Sequence, residues 1–301
     1  FTMLLCAVMV VMIFPITASA DIGPKASVRI TFTNMGDELC YGTLLSENES
    51  TGPSSAWDGN DETARHSGNN SHEAFDYETW KAFVEYEDVD GYYFLQEGWN
   101  VSEKKEIAWT YYPPNRFKIL LYYPETETFV VSGIYERYAF DTYYTVDMDG
   151  VNIGSVEYDN ELSTDERIDA YRSYNYRVEI LSLVARILLT IAIEMIVALL
   201  FGFRNRKQLA LLGGVNAATQ IILNVLLNII NYNSGQMAFV FFFVLLELAI
   251  FALEAVLYCI WMKKLSDKPK KSGFYVLYSF VANAVSFGSG LLIAMWMPGI
   301  F

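Results

Sequence analysis

The stretch LLELAIFALEAVLY, Leu245 to Tyr258, reads as apolar helix interrupted by two glutamates, Glu247 and Glu254. Seven residues make about two helical turns, so both carboxyl groups leave the same face. An acid at the centre of a membrane-spanning helix costs about 3 kcal/mol. The pair therefore asks either for polar partners or for a task. Reading outward, the stretch lies in the third of four apolar segments, at 180–203, 209–230, 237–262 and 274–297. Each meets the length of roughly 20 residues that a bilayer requires. The fold class predicted is a four-helix transmembrane bundle over 180–301, preceded by a domain of another kind.

Each apolar segment carries its polar residues on one side. The first has Arg186 and Glu194. In the second, Asn216, Gln220, Asn224 and Asn228 recur every four residues, with Thr219 beside them. The fourth has Asn283, Ser286 and Ser289 at helical spacing, and Gly288 and Gly290 permit close helix approach. Four polar faces meeting inside a bundle make a candidate site of Arg186, Glu194, Asn216, Thr219, Gln220, Asn224, Glu247, Glu254, Asn283 and Ser286. Glu247 and Glu254 are expected to point inward, with Arg186 near at least one of them. The set reads in two ways: as hydrogen-bonding glue between helices, or as a path for protons, ions or substrate. Intramembrane catalysis is disfavoured, because no segment holds a histidine, an H-E-x-x-H motif or a pair of aspartates.

The loops carry the orientation. RNRKQ (204–208) follows the first segment and KKLSDKPKK (263–271) the third, whereas NYNSGQ (231–236) has no charge. The positive-inside rule places both basic loops in the cytoplasm, and the N-terminal half and C-terminus outside. Residues 1–20 have an apolar run ending in Ala18-Ser19-Ala20, the pattern of an export signal peptide. A multi-pass protein of the cytoplasmic membrane is expected.

Composition divides the chain at the same place. Residues 21–176 hold 30 Asp/Glu against 11 Lys/Arg, a net −19, and residues 177–301 hold 5 against 10, a net +5. So acidic an exterior repels phosphate, which excludes nucleic acid as a partner. Residues 21–164 read as an exported, mainly β domain of sandwich type with one helix. ASVRITFTN, DELCYGTLLS, RFKILLYY, TFVVSGIYE and AFDTYYTVDM carry the strand signals, and FDYETWKAFVEY carries the helix. Val130, Ile134, Phe140 and the paired tyrosines are predicted to fill the core. SENESTGPSSAWDGNDETARHSGNNS, residues 46–71, is polar and reads as a long loop, with His66 and the adjoining His72 placed as solvated residues. The aromatic patches GYYFLQEGW and IAWTYYPPNRF fit either a stacking surface or the sheet core. EYEDVDG offers Glu85, Glu87, Asp88 and Asp90 as candidate metal ligands, though without EF-hand spacing. Cys40 is alone in the domain, so no internal disulfide is possible, and a buried thiol is expected. Residues 165–179, DERIDAYRSYNYRVE, read as a charged connector helix.

The elements ADIGPKASVRITFTN, CYGTLLSENESTGP, GYYFLQEGW, YYPPNRFKILLYYPETETFVVSGIYERYAFDTYYTV and GVNAATQIILNVLLNIINYNSG stand in this order. Together they resemble a family of four-span membrane proteins of anaerobic Firmicutes with an exported N-terminal domain. The N-x-x-T-Q element at Asn216, Thr219 and Gln220, with the paired glutamates, is similar to the signature of a wider four-span group. The resemblance implies lineage and location, and no particular activity or cofactor. The expected function is a binding, sensing or anchoring module of the membrane, whose partners are the lipid bilayer and either a membrane protein or a second copy of the chain. The alternative is a small ion- or proton-coupled transporter that uses the intramembrane carboxylates. An enzyme is not favoured, and no cofactor is expected.

Overall fold

The structure, a computed structural model, describes residues 25–64, 76–151, 153 and 168–296. The export signal expected over residues 1–20, and His66 and His72, lie outside the described residues. The chain runs β1 (Ser27–Thr33), β2 (Tyr41–Ser46), β3 (Ser50–Thr51), β4 (Ser54–Ser55), α1 (Tyr77–Glu85), β5 (Trp99–Asn100) and α2 (Val101–Lys104). It continues through β6 (Glu106–Trp109), β7 (Arg116–Tyr123), β8 (Thr128–Val131), β9 (Tyr135–Glu136), β10 (Asp141–Asp147) and β11 (Ala170–Arg172). Three long helices follow, α3 (Tyr176–Leu200), α4 (Arg206–Lys264) and α5 (Ser272–Trp296). A mainly β N-terminal part thus precedes a helical C-terminal region.

Two sheets build the β part. One has the order β11-β10-β1-β6, with β1 and β10 parallel; the other runs β5-β2-β7-β8, with β9 also on β7. Their facing sides share one core, in which Val28, Ile30, Ile107 and Val146 meet Leu44, Ile119, Leu121 and Val130. RFKILLYY shows why the layers stack as they do. Its odd-numbered side chains, Phe117, Ile119 and Leu121, enter the core between the sheets. Leu120 and Tyr122 face the other way, onto Trp80 and Phe83 of α1. A strand covered on both faces needs a near-continuous apolar run, and β7 has one. Asp76 starts α1 by accepting the Thr79 N–H at 2.7 Å. Gly42 of β2 lies where an added Cβ would stand 2.7 Å from Val101, so only glycine lets α2 approach.

Several expectations for this part are corrected. The connector predicted as a helix over 165–179 is a strand at Ala170–Arg172, paired antiparallel with Tyr144–Val146 of β10, and helix begins only at Tyr176. Backbone pairing to an open sheet edge outweighs the local helical spacing there. Ile134 is 41 % exposed and no core residue, since it lies between β8 and β9 where strand alternation is broken. The polar stretch contains the β3–β4 hairpin, turned by Gly52 at φ 52°. A second, one-turn helix, α2, accompanies the predicted one.

In the helical region, the segments Glu179–Leu200 and Arg206–Lys264 are long and apolar enough to cross a membrane. α4 is interrupted at Gly235, whose φ of 78° and ψ of 178° are not helical. The chain doubles back there, as hydrogen bonds between the two limbs of α4 demonstrate. Gln208 Nε2 donates to the Met262 carbonyl at 3.3 Å, and Thr219 Oγ1 to Glu254 Oε1 at 2.7 Å. Partners step inward from both ends toward Gly235 at matching rates. The distribution of side chains is inverted relative to a water-soluble fold. Leu181, Leu188, Leu200, Ile222 and Phe241 are exposed, whereas Asn216, Gln220, Asn224 and Glu254 are buried.

The two parts meet at this bend. The Phe140 N–H donates to the Tyr232 carbonyl at 2.9 Å. The Phe140 ring occupies the space above Gly235, where a Cβ would fall 2.5 Å from it. Phe140, expected in the sandwich core, is instead the contact to the helices. Tyrosines pack around it: Tyr174 lies edge-on to Tyr232 at 5.5 Å, and the Arg172 guanidinium sits 4.6 Å over Tyr138. Burial, together with a hydrogen bond to Glu179, raises the Tyr174 hydroxyl above the ordinary tyrosine range.

Candidate functional site in the helical core

The four-residue spacing of Asn216, Gln220 and Asn224 sets one side of the first limb of α4 toward the other helices, and all three are buried. Asn216 Oδ1 accepts from the Tyr258 hydroxyl at 2.5 Å. Thr219 Oγ1 donates to Glu254, whose other oxygen accepts from Asn283 Nδ2 at 2.8 Å. Asn224 Nδ2 turns back to the Gln220 carbonyl at 2.9 Å and to Gln220 Oε1 at 3.3 Å. Glu254 is fully enclosed and holds α5 to both limbs of α4. A carboxyl group can remain in so apolar a place only when its oxygens are bonded.

Glu194, on α3, is 1 % exposed, and both of its carboxyl oxygens lack a hydrogen-bond partner. Asn216 Nδ2 and Asn283 Oδ1 are also enclosed without partners. The Tyr278 hydroxyl reaches the Glu194 backbone carbonyl at 3.4 Å, which brings α5 against α3 at this level. Ser286 is buried on α5. The arrangement gathers Glu194, Asn216, Thr219, Glu254 and Asn283 from all three helices, with acceptors in excess of donors. Tyr258 and Tyr278 belong to the same core, and their aromatic character inside apolar segments hides that role in the sequence.

Two members sit elsewhere. Arg186, expected beside a glutamate, donates from Nη2 to Asn228 Oδ1 at 3.3 Å, and its guanidinium lies 6.0 Å from the Phe239 ring. It pairs with no carboxylate among the described residues. The reason is depth: Asn228 lies near the bend, while Thr219, level with Glu254, is about 13 Å further along the limb at 1.5 Å per residue. Glu247 is half-buried, off the Glu254 network and next to Asn283 in a crevice between α4 and α5.

The candidate metal ligands of the β part do not converge. Glu85 pairs with Lys81 at 3.6 Å, and Glu87 is exposed. Asp88 binds Lys118 Nζ through both oxygens, at 2.9 and 3.1 Å, and Asp90 pairs with the same ammonium. The cation at this turn is therefore Lys118, buried on the strand RFKILLYY. Burial works against its charge, but the bonds to Asp90 and Asp88 prevail and raise its pKa above the ordinary lysine value. Among the described residues, no group of three or more His, Cys, Asp or Glu is placed to hold a metal ion. Of the aromatic patches, Phe94, Trp99 and Trp109 are core, and Tyr93 and Tyr112 remain exposed.

No protein-family model, curated protein or solved structure matches the chain.

Proposed function

We propose that the protein is an integral membrane module of the binding or sensing kind. In this reading the acidic β-rich domain is exported and engages an envelope ligand or partner protein. α3, the two limbs of α4, and α5 form a four-helix transmembrane bundle that anchors the domain and responds to it. The basic loops 204–208 and 263–271 lie in the cytoplasm, and the bend at Gly235 lies outside, under the domain. The observation that carries the reading is the joint of Phe140 with Tyr232 and Gly235. It attaches the β part to the residue at which the helical hairpin turns, so an event on one side is felt at the other. The outward apolar and inward polar faces support the membrane location.

Orientation is tested with single cysteines at Asn233 and Ser266 and a membrane-impermeant maleimide. Asn233→Cys is labelled in intact cells and Ser266→Cys only after permeabilisation; the opposite pattern overturns the topology. For binding, the full chain is used to capture components from native membranes, and amide exchange is then followed with the purified component. Protection is expected on the domain and at residues 230–236. Protection of the domain alone leaves a simple anchor, and no specific component overturns the reading.

A second reading, an ion- or proton-coupled transporter, is favoured by the unpartnered carboxyl of Glu194 beside the Glu254 network. Proteoliposome flux separates the two. Loss of a proton- or cation-dependent flux in Glu247→Gln and Glu254→Gln chains that still fold supports transport. Variants that only lower the melting temperature remove its motivation.

A further inference from the structure

Two loops lie at the end of the helical region away from Gly235: 201–205, between α3 and α4, and 265–271, between α4 and α5. Hydrogen bonds join them into one surface. Asn205 Nδ2 donates to the Leu265 carbonyl at 3.4 Å, and Gln208 Nε2 to the Met262 carbonyl at 3.3 Å. The second loop is also fastened to α5, where the Lys270 N–H donates to the Tyr275 hydroxyl at 3.1 Å and Lys263 Nζ to Ser272 Oγ. RNRKQ and KKLSDKPKK bring eight Lys and Arg to this surface, against the single acid Asp267. All but Lys263 are exposed, and none makes an ion pair among the described residues. A bias of sign in the loops orients a chain in the membrane. It does not require that the two loops be joined, nor that their cations go without acid partners.

The surroundings of the cluster decide what neutralises it. Within two turns of the loops, Leu199, Leu200, Ile260, Trp261, Val276 and Leu277 are exposed on the same helices. Trp261 precedes Lys264 by three residues, so indole and ammonium share one helix face, as an anchor at a membrane–water interface does. A soluble polyanion, whether nucleic acid or acidic peptide, would engage the cations and leave this apolar collar bare. A zwitterionic lipid offers a phosphate but brings a cation of its own, which the cluster repels. A lipid of net negative charge satisfies both features, its phosphate on Lys and Arg and its acyl chains on the collar. Reach agrees with this. The seven residues 265–271 must leave and return, so they rise at most about 12 Å above the helix ends. Their ammonium groups stay within or beside a headgroup layer about 5–8 Å deep.

We propose that the joined loops form a binding surface for anionic phospholipid, with the phosphate held by cations of both loops and the acyl chains along the collar beneath. The proposal rests on the membrane-bundle reading and adds to it the headgroup class that the bundle selects. The test uses the full chain in a mild neutral detergent and native mass spectrometry. The probe is phosphatidylglycerol, and the control is phosphatidylcholine with the same acyl chains. Phosphatidylglycerol should be retained at concentrations at least tenfold below those needed for the control, and the preference should shrink as ammonium acetate is raised. Lys264→Gln, Lys268→Gln and Lys271→Gln together should weaken retention of phosphatidylglycerol tenfold or more. These positions are exposed, so the fold tolerates the change. Arg177→Gln, at the opposite end of α3, should leave retention unchanged. Equal retention of the two lipids overturns the proposal, as does a preference that survives the triple substitution or one that Arg177→Gln removes equally. Displacement of the lipid by equimolar glycerol 3-phosphate also overturns it, since the cluster would then read free phosphate. Retention in detergent does not depend on which end faces the cytoplasm. A reversed labelling pattern at Asn233 and Ser266 is therefore a separate result from a failure here.

Discussion

Lys118 is the residue on which local charge arrangement in the β part depends. Its ammonium is buried between Asp88 and Asp90, and removing one partner of a buried pair leaves the other charge uncompensated. Lys118→Met keeps the volume and removes the charge, and should destabilise the fold by about 3–5 kcal/mol. Denaturant unfolding of the full chain, followed by near-ultraviolet dichroism, measures this; a change under about 1 kcal/mol would mean that Asp88 finds another partner. Cys40 supplies a pH dependence. Burial pushes its thiol from 9.0 up to about 12. The folded state therefore prefers the protonated form, and its advantage is present below pH 9 and lost as pH rises toward 12. Stability should fall by up to about 1.4 kcal/mol per pH unit across that window. Cys40→Ala should flatten the slope. In the native protein at pH 8, iodoacetamide should leave Cys40 unmodified until denaturant is added, as mass spectrometry of the tryptic peptide would report.

At the scale of elements, the bend in α4 combines two constraints. Gly235 has a backbone angle that disfavours any side chain, and the Phe140 ring occupies the volume a Cβ would take. Gly235→Ala should cost about 2–4 kcal/mol, the sum of backbone strain and overpacking. Phe140→Ala in the same chain relieves only the packing share, so the double variant should be less unstable than the two single effects added. Additive losses would mean that ring and glycine are not in contact. The elements also divide into those the sequence discloses and those it does not. RFKILLYY is legible from its near-continuous apolar run, and the helix around Trp80 from the helical spacing of its apolar residues. The strand Ala170–Arg172 is not, since its state is set by β10, a partner remote in sequence. In the candidate site, the four-residue spacing discloses the inward stripe of Asn216, Gln220 and Asn224. The partners of Arg186 and Lys118 are hidden, because depth along a helix and pairing across a sheet leave no mark in local spacing. Tyr258 and Tyr278 are concealed likewise, as aromatic residues in an oily helix read as packing.

For the whole molecule, the order of strands delays completion of the β part until its last strands have been made. β1 near the beginning pairs in parallel with β10, whose residues stand about a hundred positions later, and β10 in turn holds β11 just before α3. A secreted fragment ending at residue 140 lacks both strands and leaves one edge of β1 open. It should aggregate, while a fragment ending at 175 should give dispersed amide resonances and a cooperative melt. A folded, soluble 21–140 fragment would show that the parallel pair is dispensable. The acidic β part and the mildly basic helical part share a short boundary, where Phe140 meets Tyr232 and Gly235.

The doubled helix has a mechanical consequence. Each limb leaves Gly235 as a rod about 43 Å long at 1.5 Å per residue, so a tilt of about 5° at the bend displaces its far end by about 4 Å. The ring of Phe140 rests at the fulcrum, where small motions are least visible and have the greatest reach. The far ends are the basic loops, and their displacement, measured by distance-sensitive spin labels, is where a tug on the β part would register.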